Sequence, residues 1–155
     1  MEESAELCSP SDKLVLIVED DESMLDLTQT LVKTEGFRVD YACNGLQALE
    51  KTAAVSPDLV LLDLMLPGTG GYEVVRELQA RGFGHIPVIV LTARHMDTKS
   101  VDAILREPNV REFILKPPPQ AKLAALLHYH AKYLASPHGS HVEPGQFDSR
   151  RAVSS

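Results

Sequence analysis

The chain has 155 residues, 44% of them apolar, enough for one domain with a substantial core and too few for a second full one. A formal net charge of -7 argues against direct nucleic-acid binding, which usually needs a basic face, and suits a protein that handles cations or basic partners. Two cysteines, Cys8 and Cys43, make no disulfide framework, and no apolar run approaches membrane-spanning length, so a soluble cytoplasmic chain with no membrane contact is expected.

Met1 to Asp12 is acidic and polar without an apolar signal region and reads as a disordered leader. Leu14-Val15-Leu16-Ile17-Val18 is a continuous β-rich run, the mark of a strand buried on both faces, and it stops abruptly at Glu19-Asp20-Asp21-Glu22. From Ser23, Met24, Leu25, Leu27, Leu31 and Val32 recur at helical spacing until Gly36 supplies a left-handed stop. Phe37 to Ala42 alternates like a second strand. Asn44-Gly45 caps a short helix carrying Leu46, Ala48, Leu49 and Ala53, which ends before Pro57. Leu59 to Leu62 is a third strand that delivers Asp63, and a turn through Pro67, Gly68, Gly70 and Gly71 leads into a helix with Val74, Val75 and Leu78. Ile86 to Leu91 is a fourth strand ending at Thr92-Ala93. A brief helix with Val101, Ile104 and Leu105 follows, then a fifth strand, Val110 to Leu115, that ends at Lys116. Pro117-Pro118-Pro119 breaks the chain before a last helix from about Gln120 to Leu134, and Ser136 to Ser155 has no periodicity and reads as a disordered tail. The domain therefore occupies 13–135.

Five strands alternating with five helices predict an α/β fold: a doubly wound parallel sheet with right-handed crossovers and helices on both faces. In such a sheet the carboxyl ends of all strands emerge along one edge, where ligands bind. That edge collects Glu19 and Asp20, Asp63, Thr92 and Lys116. Crowded carboxylates repel one another, and a hard divalent cation, Mg²⁺, is the usual way to keep them ionised. A lysine and a hydroxyl aimed at the same place suit a phosphoryl group.

Val18-Glu19-Asp20-Asp21, Leu62-Asp63-Leu64-Met65-Leu66-Pro67-Gly68, Leu91-Thr92-Ala93 and Leu115-Lys116-Pro117 stand in the order expected of one family. Over roughly Lys13 to Leu134 the chain resembles the receiver domain of two-component response regulators. The resemblance implies a flavodoxin-like sheet in the order 2-1-3-4-5, and a phosphorelay role in which Asp63 accepts a phosphoryl group from a histidine kinase or histidine phosphotransfer protein. It implies Mg²⁺ held by Asp20, Asp63 and the backbone carbonyl of Met65, with Glu19 acting through water. Thr92 and Lys116 would engage the phosphoryl oxygens, and Phe113 would be an aromatic switch. A cis Lys116-Pro117 bond is implied as well. The protein would catalyse its own phosphotransfer without turning over a substrate, and would act on a downstream partner or as a phosphorylation-dependent dimer. It would be either a stand-alone receiver or a piece of a longer regulator or hybrid kinase.

Each residue also has a plainer reading. Glu19 to Glu22 could merely complement a helix dipole, Asp63 could be an Asx-turn residue, and Phe113 could be a core aromatic. His128, His130, His138 and His141 lack acidic or cysteine company in sequence and read as solvated. A phosphatase of the haloacid-dehalogenase type would want a second acid two residues after Asp63, where Met65 stands. A flavodoxin-like binding module would want a Ser/Thr/Gly-rich phosphate loop where four acids stand. Two departures from the receiver pattern are visible: Gly70 stands where relatives often have an acid in the turn, and Met65 cannot orient an attacking water, so a phosphorylated state that outlasts that of a Met65→Asn variant is expected.

Overall fold

The computed structural model describes residues 9–93 and 98–131. Its order is β1 (Leu14–Val18), α1 (Glu22–Thr34), β2 (Arg38–Ala42), α2 (Gly45–Val55), β3 (Leu59–Asp63), α3 (Gly71–Ala80), β4 (Val88–Thr92), α4 (Thr98–Leu105), β5 (Val110–Leu115) and α5 (Gln120–Ala131). All four strand pairings are parallel, and the sheet runs β2-β1-β3-β4-β5 as expected.

The central strands β1, β3 and β4 are buried at every position, which is why they appear as unbroken apolar runs. Alternate side chains go to opposite faces. Leu16, Val18, Val60, Leu62, Val88 and Val90 pack beneath α2, α3 and α4, whereas Val15, Ile17, Leu59, Leu61, Ile89 and Leu91 pack beneath α1 and α5. Helix ends follow local chemistry: Asp21 Oδ1 accepts from Met24 N at 3.0 Å, Asn44 Oδ1 accepts from Gln47 N at 2.9 Å, and Gly36 takes φ 96° after α1.

Several expectations change. Ser9 to Asp12, assigned above to the leader, make a capped turn of 3-10 helix at Pro10–Asp12. Arg38 holds that turn by donating from Nε to Ser11 O (3.1 Å) and from Nη2 to Asp12 O (3.4 Å). The rest of the leader, the tail, and the end of the last helix lie outside the described residues. β4 begins at Val88 and not at Ile86, because Pro87 has no N–H for the ladder and takes part only as an acceptor from Val60 N. β2 begins at Arg38; Phe37 precedes it, buried, and the strand does not alternate cleanly because it is an edge. Two histidines expected in solvent are not there. His128 bonds Glu35 Oε1 at 2.9 Å and lies 5.0 Å from the Phe37 ring, and His130 is buried with Nε2 3.5 Å from Glu112 Oε2. Glu35 and Phe37 lie more than ninety residues away from His128 in sequence, so spacing could not reveal the contacts. α5 buries Leu123, Leu126 and Leu127 in the core.

Candidate functional site

The ends of four strands, β1, β3, β4 and β5, build the site. β1 stops because Glu19 and Asp20 follow its apolar run; the backbone turns there and Glu19 N still donates to Ala42 O (3.0 Å). The acid run then divides its labour. Asp21 caps α1 and Glu22 sits in its first turn, as the plain reading has it, while Glu19 is folded inward with 1% exposure and Asp20 stays exposed. Glu19 Oε2 accepts from Asp21 N at 3.3 Å.

Asp63 closes β3 and is buried at 2% exposure. Its Oδ1 accepts from Met65 N at 3.0 Å, an Asx-turn bond, so the plain reading of this residue also holds and orients one oxygen. Its Oδ2 lies 3.2 Å from Lys116 Nζ. Lys116 N donates to Thr92 O at 2.8 Å, which brings the end of β5 to the end of β4, and the ammonium reaches Glu19 Oε1 at 3.2 Å as well. One ligand oxygen from each of Glu19, Asp20 and Asp63 lies within 4.8 Å of the others. Thr92, buried, directs its hydroxyl to Ala93 O at 3.4 Å. Phe113 is half-buried and packs against the core cluster that contains Ile104 of α4. Met65 exposes its side chain. The sequence-selected polar residues thus share one edge, with Phe113 set back from it.

Electrostatics here is unbalanced. Burial, reinforced by the charge of Asp63 and opposed by Lys116, pushes the Glu19 carboxyl up to about 7. Burial acts to lower the Lys116 ammonium, but the charges of Asp63 and Glu19 outweigh it and hold the group above its ordinary value. One lysine between two buried carboxylates leaves a net negative cluster. All the free donors are hard oxygens, so the set fits Mg²⁺ and not a soft thiophilic metal.

The family model for the response regulator receiver domain matches residues 15–128. The chain belongs to this family. Among relatives, the DNA-binding response regulator MtrA of Mycobacterium tuberculosis is 39% identical over 104 residues, covering 66% of this chain and 43% of that protein. The sensory transduction protein RegX3 of the same species is 40% identical over 103 residues, covering 66% and 44%. The receiver therefore spans less than half the length of the curated relatives it matches. Among solved structures, the receiver domain of the sensor histidine kinase PA1611 of Pseudomonas aeruginosa matches with TM-score 0.69 and 26% identity, over 77% of this chain and 97% of that one. That structure has a magnesium ion coordinated in its active-site cleft. The N-terminal domain of a response regulator receiver protein from Methanoculleus marisnigri matches with TM-score 0.62 and 28% identity, over 76% and 94%. Among the described residues, no helix is long and apolar enough to cross a membrane.

Sequence reasoning missed a second polar cluster. Gln79 of α3 donates from Nε2 to Glu107 Oε1 (2.9 Å) and Asn109 Oδ1 (2.7 Å), Tyr72 Oη donates to Glu107 Oε2 (3.2 Å), and Asn109 Nδ2 donates to Val75 O (3.2 Å). Asn109, next to Pro108, reads in sequence as a turn residue, and nothing local shows that it is wholly buried. The buried Glu112 was missed for a similar reason, since a charged residue on an edge strand reads as solvent-facing.

Proposed function

We propose that this receiver takes a phosphoryl group on Asp63 from a phosphohistidine of a histidine kinase or phosphotransfer protein, and that the modified form switches a partner-binding face. The observation that carries this reading is the single lysine held 3.2 Å from both Asp63 and Glu19 at the sheet edge, beside an oxygen cluster suited to a divalent cation. Asp63 Oδ1 is held by Met65 N, so the carboxylate is oriented before any donor arrives.

In the transfer, a carboxylate oxygen of Asp63 attacks phosphorus in line as the P–N bond of the donor breaks. The imidazole nitrogen leaves with the bonding pair and a neutral histidine is restored on proton uptake. The nucleophile is itself a carboxylate oxygen, so the step calls for no base on this chain. Lys116 offsets charge on the transferring oxygens. Asp20, Asp63 and the Met65 carbonyl would hold Mg²⁺, with Glu19 acting through water, and the ion would supply charge stabilisation when bound. The added negative charge then draws the Thr92 hydroxyl away from Ala93 O toward the phosphoryl oxygens and strengthens the Lys116 contact. Movement at the end of β4 is passed to α4 and to Phe113, which packs near it, as a shift between two populations of one fold. The setting would be the cytoplasm, and the output a protein partner, a phosphorylation-dependent dimer, or DNA through a further domain, as the name of the MtrA relative suggests. A haloacid-dehalogenase type of turnover is disfavoured by Met65, which offers no acid.

The test is intact-mass measurement after incubation with acetyl phosphate and Mg²⁺. Wild type gains one phosphoryl group and Asp63→Asn gains none. An unmodified wild type counts against phosphoacceptance, and a modified Asp63→Asn protein contradicts the site.

A further inference from the structure

The loop between β3 and α3 carries backbone that adjoins Asp63, and at Thr69 it passes close against α2. Gly45 is the first residue of α2, is buried, and does not have the left-handed backbone that Gly36, Gly68 and Gly82 adopt. Conformation therefore does not demand glycine there, and alanine is the better helix former. Space does demand it. A Cβ at Gly45 would stand 2.9 Å from Thr69 Cβ, 3.0 Å from Thr69 Cγ2 and 2.9 Å from Val74 Cγ2. Val74 is a fully buried core residue of α3, whereas Thr69 is an exposed residue of the loop. A packed core resists displacement and a loop does not, so a side chain at Gly45 would move the loop.

The two ends of that loop are tied to each other. Gly71 N donates to Leu64 O at 3.3 Å, and a Cβ on Gly71 would stand 2.9 Å from Leu64 Cα and 3.1 Å from Asp63 O. Residues 64–70 thus form a loop closed at its base by Gly71, anchored by the buried Leu64 and Leu66, with Thr69 resting against α2 at Gly45. Met65, whose N–H fixes Asp63 Oδ1, belongs to the same loop.

We propose that Gly45 is a positioning residue for the metal and phosphoryl site: its missing side chain forms the notch on α2 that seats Thr69 and thereby sets the backbone of the loop around Asp63. This rests on the phosphoacceptor reading for its purpose, but the contact itself does not.

The experiment measures three quantities: amide chemical shifts across residues 64–70 in the apo protein, the Mg²⁺ dissociation constant by calorimetry, and the melting temperature. Gly45→Ala shifts those amides and weakens Mg²⁺ binding about tenfold to a hundredfold, the range for residues that orient metal ligands from behind. Thr69→Gly causes a smaller loss, and the double variant Gly45→Ala/Thr69→Gly returns to the Thr69→Gly values. Wild-type amide shifts and affinity in Gly45→Ala would overturn the proposal. So would a double variant as weak as Gly45→Ala, or a fall in melting temperature that Thr69→Gly does not relieve, since either assigns the contact to Val74 and the core. Failure of wild type to bind Mg²⁺ would count against the phosphoacceptor reading, while the apo amide shifts would still decide the seat of Thr69.

Discussion

The receiver contains two polar clusters of opposite character. Around Asn109, buried and half-buried polar groups find each other: Gln79 bridges Glu107 and Asn109, and Asn109 satisfies Val75 O. Around Asp63, two buried carboxylates compete for Lys116, and Glu19 is held near pH 7 by burial and by Asp63. The first arrangement joins α3 to the segment before β5 and leaves little to be gained by any further ligand. The second is a poor way to stabilise a fold and a good way to prepare for a cation and a phosphoryl group, because unbalanced charge is what those ligands relieve. Polar groups satisfied within the chain serve structure, and those left in conflict point to function.

The comparison can be broken by substitution. Asn109→Ala removes the acceptor of one Gln79 N–H and the side-chain bond to Val75 O, and is expected to cost about 2 to 3 kcal/mol in denaturant unfolding while leaving Mg²⁺ affinity unchanged. Glu19→Gln should do the reverse. The carboxyl of Glu19 is raised from 4.5 to about 7, so its charged form is disfavoured in the fold. The contribution of Glu19 to the stability of the apo protein is therefore fully present below pH 4.5 and is lost as pH rises through 7. Removing that charge is expected to stabilise the apo protein at pH 8 by on the order of 2 kcal/mol, to have no such effect at pH 4, and to weaken Mg²⁺ binding. Melting curves at the two pH values, with and without Mg²⁺, decide it; a destabilised Glu19→Gln protein at pH 8 would show that the cluster is not in conflict.

Smaller effects sharpen the picture. Met65 exposes an apolar side chain beside Asp63, and Met65→Asn, which can orient a water, is expected to shorten the life of the phosphorylated state by up to about tenfold, or 1.4 kcal/mol in barrier. Equal decay of the two proteins under Mg²⁺ would sink that idea. Gly70, the N-cap of α3, makes no side-chain cap bond, and a Cβ there would meet only the movable Oε1 of Glu73. Gly70→Asn should raise stability by about 0.3 kcal/mol in thermal unfolding without altering the site.

Strand and helix identities were legible because buried parallel strands appear as unbroken apolar runs, and helix stops carry glycine or proline. The failures lie where a single residue's environment mattered more than the pattern. Pro87 trimmed β4, and Arg38 drew Ser9–Asp12 into order through a contact across more than twenty residues. His128 and His130 found acids at the C-cap of α1 and on β5 that no spacing rule connects.

Taken alone, the amino-acid order determined that Asp63, Glu19, Asp20, Thr92 and Lys116 stand at strand ends, because apolar runs end where charge begins, and parallel topology puts those ends on one edge. Only the tertiary structure decided how they meet. That Lys116 is shared between Glu19 and Asp63, and that a glycine on α2 seats the loop beyond Asp63, depend on distances between segments far apart in the chain. Local sequence sets which groups arrive at the edge, while burial and packing set which of them touch.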